Sequence, residues 1–210
     1  MRRELRADLL RRAEEDQAAR RAVESGWELV TSVDAGNLAW LKNVVAEVGW
    51  PGRAMVGEDG THAAWLLAQH ADRDPAFQRR CLELMTEAAA RGEASRAEVA
   101  YLTDRVLVAE GQPQEYGTQM MGRKEGWVAR RLRDPEHVDD RRAGMSLGTM
   151  AEYVAEMERA YGPASLTRVQ CGGCGRGISV WPSGGDEKPR AACQACGWTA
   201  ALVTGRPDED

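Results

Sequence analysis

The 210-residue sequence predicts a mainly α-helical domain carrying one small β-hairpin, followed by a small β-rich module built around four cysteines. Three observations predict it. Apolar residues recur at helical spacing between capping signals over the first 160 or so positions. The period changes around residues 116–132, where aromatic and β-branched residues flank a glycine-containing turn. Two C-x-x-C-G knuckles, Cys171–Gly175 and Cys193–Gly197, then stand 18 residues apart near the C-terminus.

The elements follow in order. Residues 2–24 read as a long polar helix in which Leu5, Leu9, Ala13 and Ala18 form a thin apolar stripe. Its seven arginines face six acids, so it is a solvated helix rather than a basic arm for nucleic acid. Asp34 is expected to cap a helix running to Val48, and Gly49-Trp50-Pro51-Gly52 breaks it. The loop is expected to continue to Gly60, with a helix carrying His62, Trp65, Leu66 and His70 after it.

Asp74-Pro75 gives a cap and a first-turn proline for a helix reaching Arg91-Gly92. Ser95 and Glu98 fit a capping box for a helix ending at Gly111. Residues 116–121 and 127–130 are expected to pair as a hairpin. Asp134-Pro135 opens a short helix, and Thr149 with Glu152 boxes a last one that Gly162-Pro163 stops. The expected division is a helical domain over 1–162, a linker over 163–170, the four-cysteine module over 171–204 and a polar tail over 205–210.

Composition excludes several classes. The chain has a net charge of -5, with 43% hydrophobic and 29% charged residues, an ordinary globular balance. No apolar run approaches the roughly 18 residues of a membrane span, and the start MRRELRADLL lacks the apolar core of a secretory signal. A cytoplasmic protein with no membrane partner is expected. No phosphate-binding glycine loop, H-E-x-x-H or G-x-S-x-G occurs.

The knuckles carry the clearest chemistry. Cys171, Cys174, Cys193 and Cys196 match the spacing of a tetrahedral four-thiolate zinc site, one Zn²⁺ per chain. Four thiolates close the shell and leave no position for a reactive water, so the metal is structural. A disulfide pair or a redox C-x-x-C are the competing readings, and nothing indicates export or a βαβ context. The segment resembles the zinc ribbons of transcription, translation and many fused enzymes. Trp181 and Trp198 could be ribbon core, dock on the helical domain or stack on a base. Five basic and five acidic residues over 168–210 cancel, so nucleic acid is a possible partner but not the favoured one. The fifth cysteine, Cys81, lies among Phe77, Leu82, Leu84 and Met85 and reads as a buried small hydrophobe.

Three strings mark the helical domain. The first contains Trp50-Pro51-Gly52-Arg53, Val56-Gly57 and Ala63 to Asp72. The second is Leu102-Thr103-Asp104-Arg105-Val106. The third runs from Gln114 to Gln119. Together they resemble a bacterial domain-of-unknown-function family, DUF6624, over roughly residues 27–160. The resemblance implies no settled activity.

Read chemically, the strings gather polar groups where a plain core would be apolar. One reading is a pocket in which His70 is a general base, Asp104 orients it, and Arg105 or Arg53 holds an anion, with Gln69, Tyr116 and Gln119 lining the site. The other is a buried polar network pinning the hairpin to the helices. His62 and His70 are eight residues apart, about 80° around a helix axis, unlike the i, i+4 pairs of metal-binding helices. His137 is expected to be exposed. The leading expectation is a cytosolic zinc protein whose helical domain binds a small ligand or a protein partner. A hydrolase or transferase using acid–base chemistry is the alternative, and a nucleic-acid-binding accessory protein the third.

Overall fold

The structure is a computed structural model and describes residues 1–22, 27–123, 126–162, 167–170, 177–180, 190–192 and 199–201. Cys171, Cys174, Cys193 and Cys196 lie outside the described residues, as do Trp181, Trp198 and the expected tail 205–210. The chain is mainly helical. It runs α1 (Arg3–Arg21), α2 (Glu28–Val48), α3 (Arg53–Gln69), α4 (Pro75–Ala90), α5 (Arg96–Ala109), β1 (Met120–Arg123) and β2 (Gly126–Ala129). A 3-10 turn (Pro135–His137) leads into α6 (Val138–Gly144), followed by α7 (Met150–Tyr161). Four short strands follow: β3 (Thr167–Gln170), β4 (Gly177–Val180), β5 (Arg190–Ala192) and β6 (Thr199–Ala201). Among the described residues, no helix is long and apolar enough to cross a membrane.

The chain divides into two units. The first comprises residues 1–118 and 131–148, the second 119–130 and 149–210. In the first unit α3 is central and packs against α1, α2, α4 and α5. Its buried positions include Gly60, Thr61, Ala63, Ala64 and Ala68, small residues that let neighbouring helices approach. Leu9, Leu41, Val56, Leu67, Met85 and Leu102 fill the space between them, and Cys81 is buried among them as expected. Trp50 is also buried and donates from Nε1 to the Thr61 hydroxyl at 3.2 Å, closing off the break between α2 and α3.

Most of the expected caps are present. Asp74 accepts from the Phe77 amide at 3.0 Å, and Ser95 accepts from the Glu98 amide at 3.4 Å, the Ser95 half of the expected box, with the Glu98 carboxylate turned to His62 instead. Two expectations differ. Asp34 is not a cap: α2 begins six residues earlier, at Glu28, and Asp34 sits inside it, turned toward Arg20. The stretch 53–60 is not a loop: α3 starts at Arg53, and Gly57 alone leaves helical geometry, at φ 79° and ψ 172°. A side chain is strained at that φ, so glycine lets the helix kink there and resume.

The second unit holds the hairpin. Here β1 and β2 pair antiparallel, from Met120 opposite Ala129 to Arg123 opposite Gly126. Met120, Trp127 and Met157 form a small core with Tyr153 and Val154 of α7, and Trp127 Nε1 donates to the Gly162 carbonyl at 2.9 Å. Thr149 and Glu152 make the full capping box. The first strand is shorter than expected. It starts at Met120 because Glu115, Tyr116 and Thr118 spend their amides on a side chain of the first unit's α5, as described below.

In the same unit β3 pairs antiparallel with β4, and β5 with β6. The expected linker therefore ends in a strand, with pairing that begins before Cys171. Gln170 is opposite Gly177 and Ala192 opposite Thr199, so six residues connect the strands of each hairpin. Those six residues are Cys171–Arg176 in one and Cys193–Trp198 in the other. Strand β4 also lies beside β5.

Candidate functional site

The most densely charged interior of the first unit lies where α1, α2 and the end of α3 meet. Helical geometry puts Asp16 and Arg20, four apart, on one face of α1. His70 occupies the C-terminal cap of α3, at φ -94° and ψ 10°, which turns its ring toward that face. Both Asp16 oxygens lie 2.9 Å from His70 Nδ1. Arg20 Nε is 3.1 Å from the same nitrogen and 3.4 Å from Asp16, and Arg20 Nη2 donates to Asp34 Oδ1 at 2.9 Å. Gln17 Nε2 donates to Asp16 Oδ2 at 3.0 Å. Asp16 is 1% exposed and the His70 side chain 8%, so water does little of the solvation here.

His70 Nδ1 faces two acceptors from Asp16 and one donor, the Arg20 Nε–H. A proton on Nδ1 satisfies the carboxylate, and Arg20 Nε then turns its N–H to Asp16 Oδ2 at 3.4 Å rather than to the ring. Burial pushes the Asp16 carboxyl up, but the hydrogen bond and charge of His70, with Arg20 and Gln17, outweigh it and leave it below the usual carboxylate range. Asp34 moves the other way: burial raises it, and the opposing pull of Arg20 and His70 does not compensate. Asp16, Asp34 and His70 each offer a ligand-type atom within 4.8 Å of the others. The Arg20 guanidinium already bonds among them and supplies the positive charge a cation would bring, so the set does not make a convincing metal site.

Asp104, expected to orient His70, is engaged elsewhere. It is fully buried in α5 and accepts from the amides of Glu115 (2.7 Å), Tyr116 (3.1 Å) and Thr118 (2.8 Å), and from the Thr118 hydroxyl (2.9 Å). Burial raises its carboxyl against the pull of those donors. The orienting contact on His70 comes instead from Asp16. Tyr116 belongs to the loop that Asp104 holds, and its carbonyl accepts from Arg142 Nη1 at 2.7 Å. Gly117 takes a φ of 71° in this loop, which fits glycine.

Arg105 forms a two-pronged pair with Asp72, at 2.9 and 2.6 Å. Partial desolvation pushes Asp72 up, although its side chain is 55% exposed, and Arg105, Gln78 and the charge of His70 bring its carboxyl below the usual range. Buried Gln78 ties this pair to the end of α3, donating from Nε2 to the Ala68 and Gln69 carbonyls and to Asp72 Oδ1. The Gln69 amide, oriented with its oxygen toward donors, accepts from the Leu102 amide and from Trp65 Nε1 at 3.0 and 3.1 Å. Arg53 lies in a separate surface cleft beside Glu58. Gln119 belongs to the second unit, where its carbonyl accepts from the Arg130 amide at 2.9 Å. His137 is exposed, as expected, and pairs with Asp134.

The structure thus brings His70 together with Asp16, Arg20 and Asp34, none of which was singled out from the sequence for this site. Asp16 had a legible signal. It lies seven residues after Leu9 and three before Ala19, on the buried stripe of α1. A charged residue there must find a partner.

A model of a family of unknown function (DUF6624) matches residues 3–165, and the chain belongs to that family. The match takes in α1, which contributes Asp16 and Arg20, and stops before Cys171. No curated protein and no solved structure matches the chain.

Proposed function

We propose that this family member is a zinc-stabilised binding protein of the cytosol. Cys171, Cys174, Cys193 and Cys196 hold one structural Zn²⁺, and the helical unit binds a small ligand or a protein partner. The observation that carries the metal is the register of the C-terminal strands: each C-x-x-C falls in the equal six-residue connection of a two-stranded hairpin, and β4 lies beside β5. Paired connections of this kind suit two knuckles that share one tetrahedral ion. Four thiolates fit zinc by their softness and number. When bound, the ion replaces the large core that so short a segment lacks.

Metal analysis of the purified, reduced chain tests this reading. About one zinc per chain is expected, falling in Cys171→Ser. A metal-free or disulfide-bonded protein would refute it. A thermal-shift panel of small ligands tests the binding role of the helical unit.

A second reading has one specific observation behind it, the Asp16–His70 contact. A carboxylate that fixes an imidazole is the arrangement a general base needs, and on this reading the helical unit is a hydrolase or transferase. Loss of a measured turnover in His70→Ala, without loss of fold, would support it.

A further inference from the structure

A cleft of about 510 Å³ opens on the surface of the first unit, apart from the buried His70 cluster. It lies between the N-terminal half of α3 and the start of α5, and Arg53, Glu58, His62, Ser95 and Glu98 are among its lining. His62 Nδ1 is 2.7 Å from Glu98 Oε1. The imidazole also rests against Trp65, with ring centroids 5.2 Å apart, and Trp65 packs edge-on against Tyr101 at 6.1 Å. The ring is therefore held on two sides while the side chain is 57% exposed. Glu98, at 14% exposed, is the inner, fixed member of the pair.

We propose that this cleft binds a small oxyanion, a phosphoryl or carboxylate group, with Arg53 holding its charge and His62, positioned by Glu98, sharing a proton with it. The inference gives the ligand-binding reading of the helical unit a place and a chemistry, and it does not depend on the metal. Glu98 accepts at Nδ1, so the neutral imidazole carries its proton there and Nε2 is the lone-pair nitrogen of a side chain 57% exposed. A phosphoryl O–H gives its proton to Nε2; a carboxylate, already ionised, instead accepts a hydrogen bond from Nε2–H of the imidazolium, whose proton comes from water. The imidazolium so formed is stabilised by Glu98, and the phosphoryl group keeps the electron pair as added negative charge beside Arg53.

The acids of the cleft do not prevent this. Asp59 is clasped by Arg6 through two hydrogen bonds, and Glu98 is spent on His62. Glu58 is 82% exposed and 3.4 Å from Arg53, a surface pair weak enough for a bidentate oxyanion to displace. The N-cap of α5 is Ser95, so the positive end of that helix faces the cleft. At α3 the Arg53 and Ala54 amides are already taken by the Glu93 carbonyl and carboxylate, so Arg53 contributes through its guanidinium alone.

The test is NMR of the full chain, following the imidazole nitrogens and the backbone amides during titration with inorganic phosphate and, separately, with acetate. In the free protein, neutral His62 should be the Nδ1–H tautomer, and Glu98→Gln should shift it toward Nε2–H. Phosphate should cause saturable shifts at His62, Arg53 and Ser95 and increase protonation of His62. Arg53→Gln should weaken phosphate binding about tenfold or more. A stronger response to acetate than to phosphate would mark a carboxylate ligand. An Nε2–H tautomer in both wild type and Glu98→Gln would overturn the proposal, as would the absence of saturable shifts in the cleft. Shifts confined to another part of the helical unit would overturn the cleft while leaving the unit's ligand-binding role standing. A thermal-shift panel without hits would count against that role itself.

Discussion

Both carboxylate oxygens of Asp16 lie 2.9 Å from Nδ1 of His70, a contact that joins the middle of α1 to the end of α3 across 54 residues. The pair is buried and shares its charge with Arg20 and, through Arg20, with Asp34. Replacing such a group with apolar residues of the same shape can be neutral, whereas removing one member leaves a charge stranded in a poorly solvated interior. The network therefore acts as a latch on helix position.

His70→Ala should cost about 1–3 kcal/mol by orphaning its buried partners. Asp16→Ala should cost more, about 3–5 kcal/mol, because Arg20 and His70 lose the carboxylate between them. Arg11, exposed and paired only along α1 with Asp8 and Glu15, should be replaceable by alanine without measurable loss. Urea unfolding of the three variants checks the order. Equal midpoints for Asp16→Ala and Arg11→Ala would remove the latch.

Asp104 predicts a different failure. Its carboxylate collects three amides and a hydroxyl from residues 115–118, so Asp104→Ala leaves several buried donors unpaired at once. A loss of about 3 kcal/mol or more is expected. Asp104→Asn keeps one oxygen but turns an N–H₂ toward N–H groups, and should recover only part of it. Hydrogen exchange at the Tyr116 and Thr118 amides should quicken in both variants.

These two aspartates also show what a sequence can and cannot disclose. Caps at Asp74, Ser95 and Thr149 were legible because a cap is local: residue type and three-residue spacing are enough. The hairpin was legible from its change of period, but its first strand was drawn too long. The amides of Glu115, Tyr116 and Thr118 are claimed by Asp104, and nothing in the local sequence announces an acceptor more than ten residues away. Asp34 has the residue type of a cap, yet its tertiary partner Arg20 outweighs that local preference. Asp16 was marked by its place on the Leu9–Ala19 stripe of α1, but charge pattern alone does not distinguish it from the solvated acids around it. His70 was legible as a polar residue late in a helix, while its true partner could be known only once α1 was placed beside α3.

Acid should act on two carboxylates in particular. Asp16 and Asp72 titrate below the usual range in the folded chain, each because ion pairs and hydrogen bonds outweigh burial. A depressed folded value contributes stability that is fully present above the unfolded value, about 3.9. That contribution is lost as the pH falls through the lower, folded value. The contribution of these two groups should therefore decline below about pH 4. Asp34 and Asp104, raised by burial, take up protons more readily in the folded chain and pull the other way. Asp72→Asn, which also breaks the pair with Arg105, should start from lower stability and show a shallower acid decline. A variant with the same acid slope as the wild type would show that Asp72 is not one of the groups being protonated.

The five cysteines should separate into two classes by reactivity. Cys81 is fully buried between α4 and its neighbours, and burial pushes its thiol up to about 12. Both its access and its thiolate fraction are then negligible at neutral pH, so an alkylating reagent should not modify it in the folded chain. Cys171, Cys174, Cys193 and Cys196, if they hold zinc, are thiolates whose lone pairs the metal occupies, and they should react slowly for a different reason. A chelator distinguishes the two causes. In its presence four cysteines should become reactive while Cys81 stays protected, and the helical signal in circular dichroism should change little. Denaturant should then release the fifth. Peptide mapping of the modified sites would check the assignment. Four thiols that react at once without a chelator would show that they hold no metal. Early modification of Cys81 would show that the core around Leu102 and Met85 opens far more readily than its burial implies.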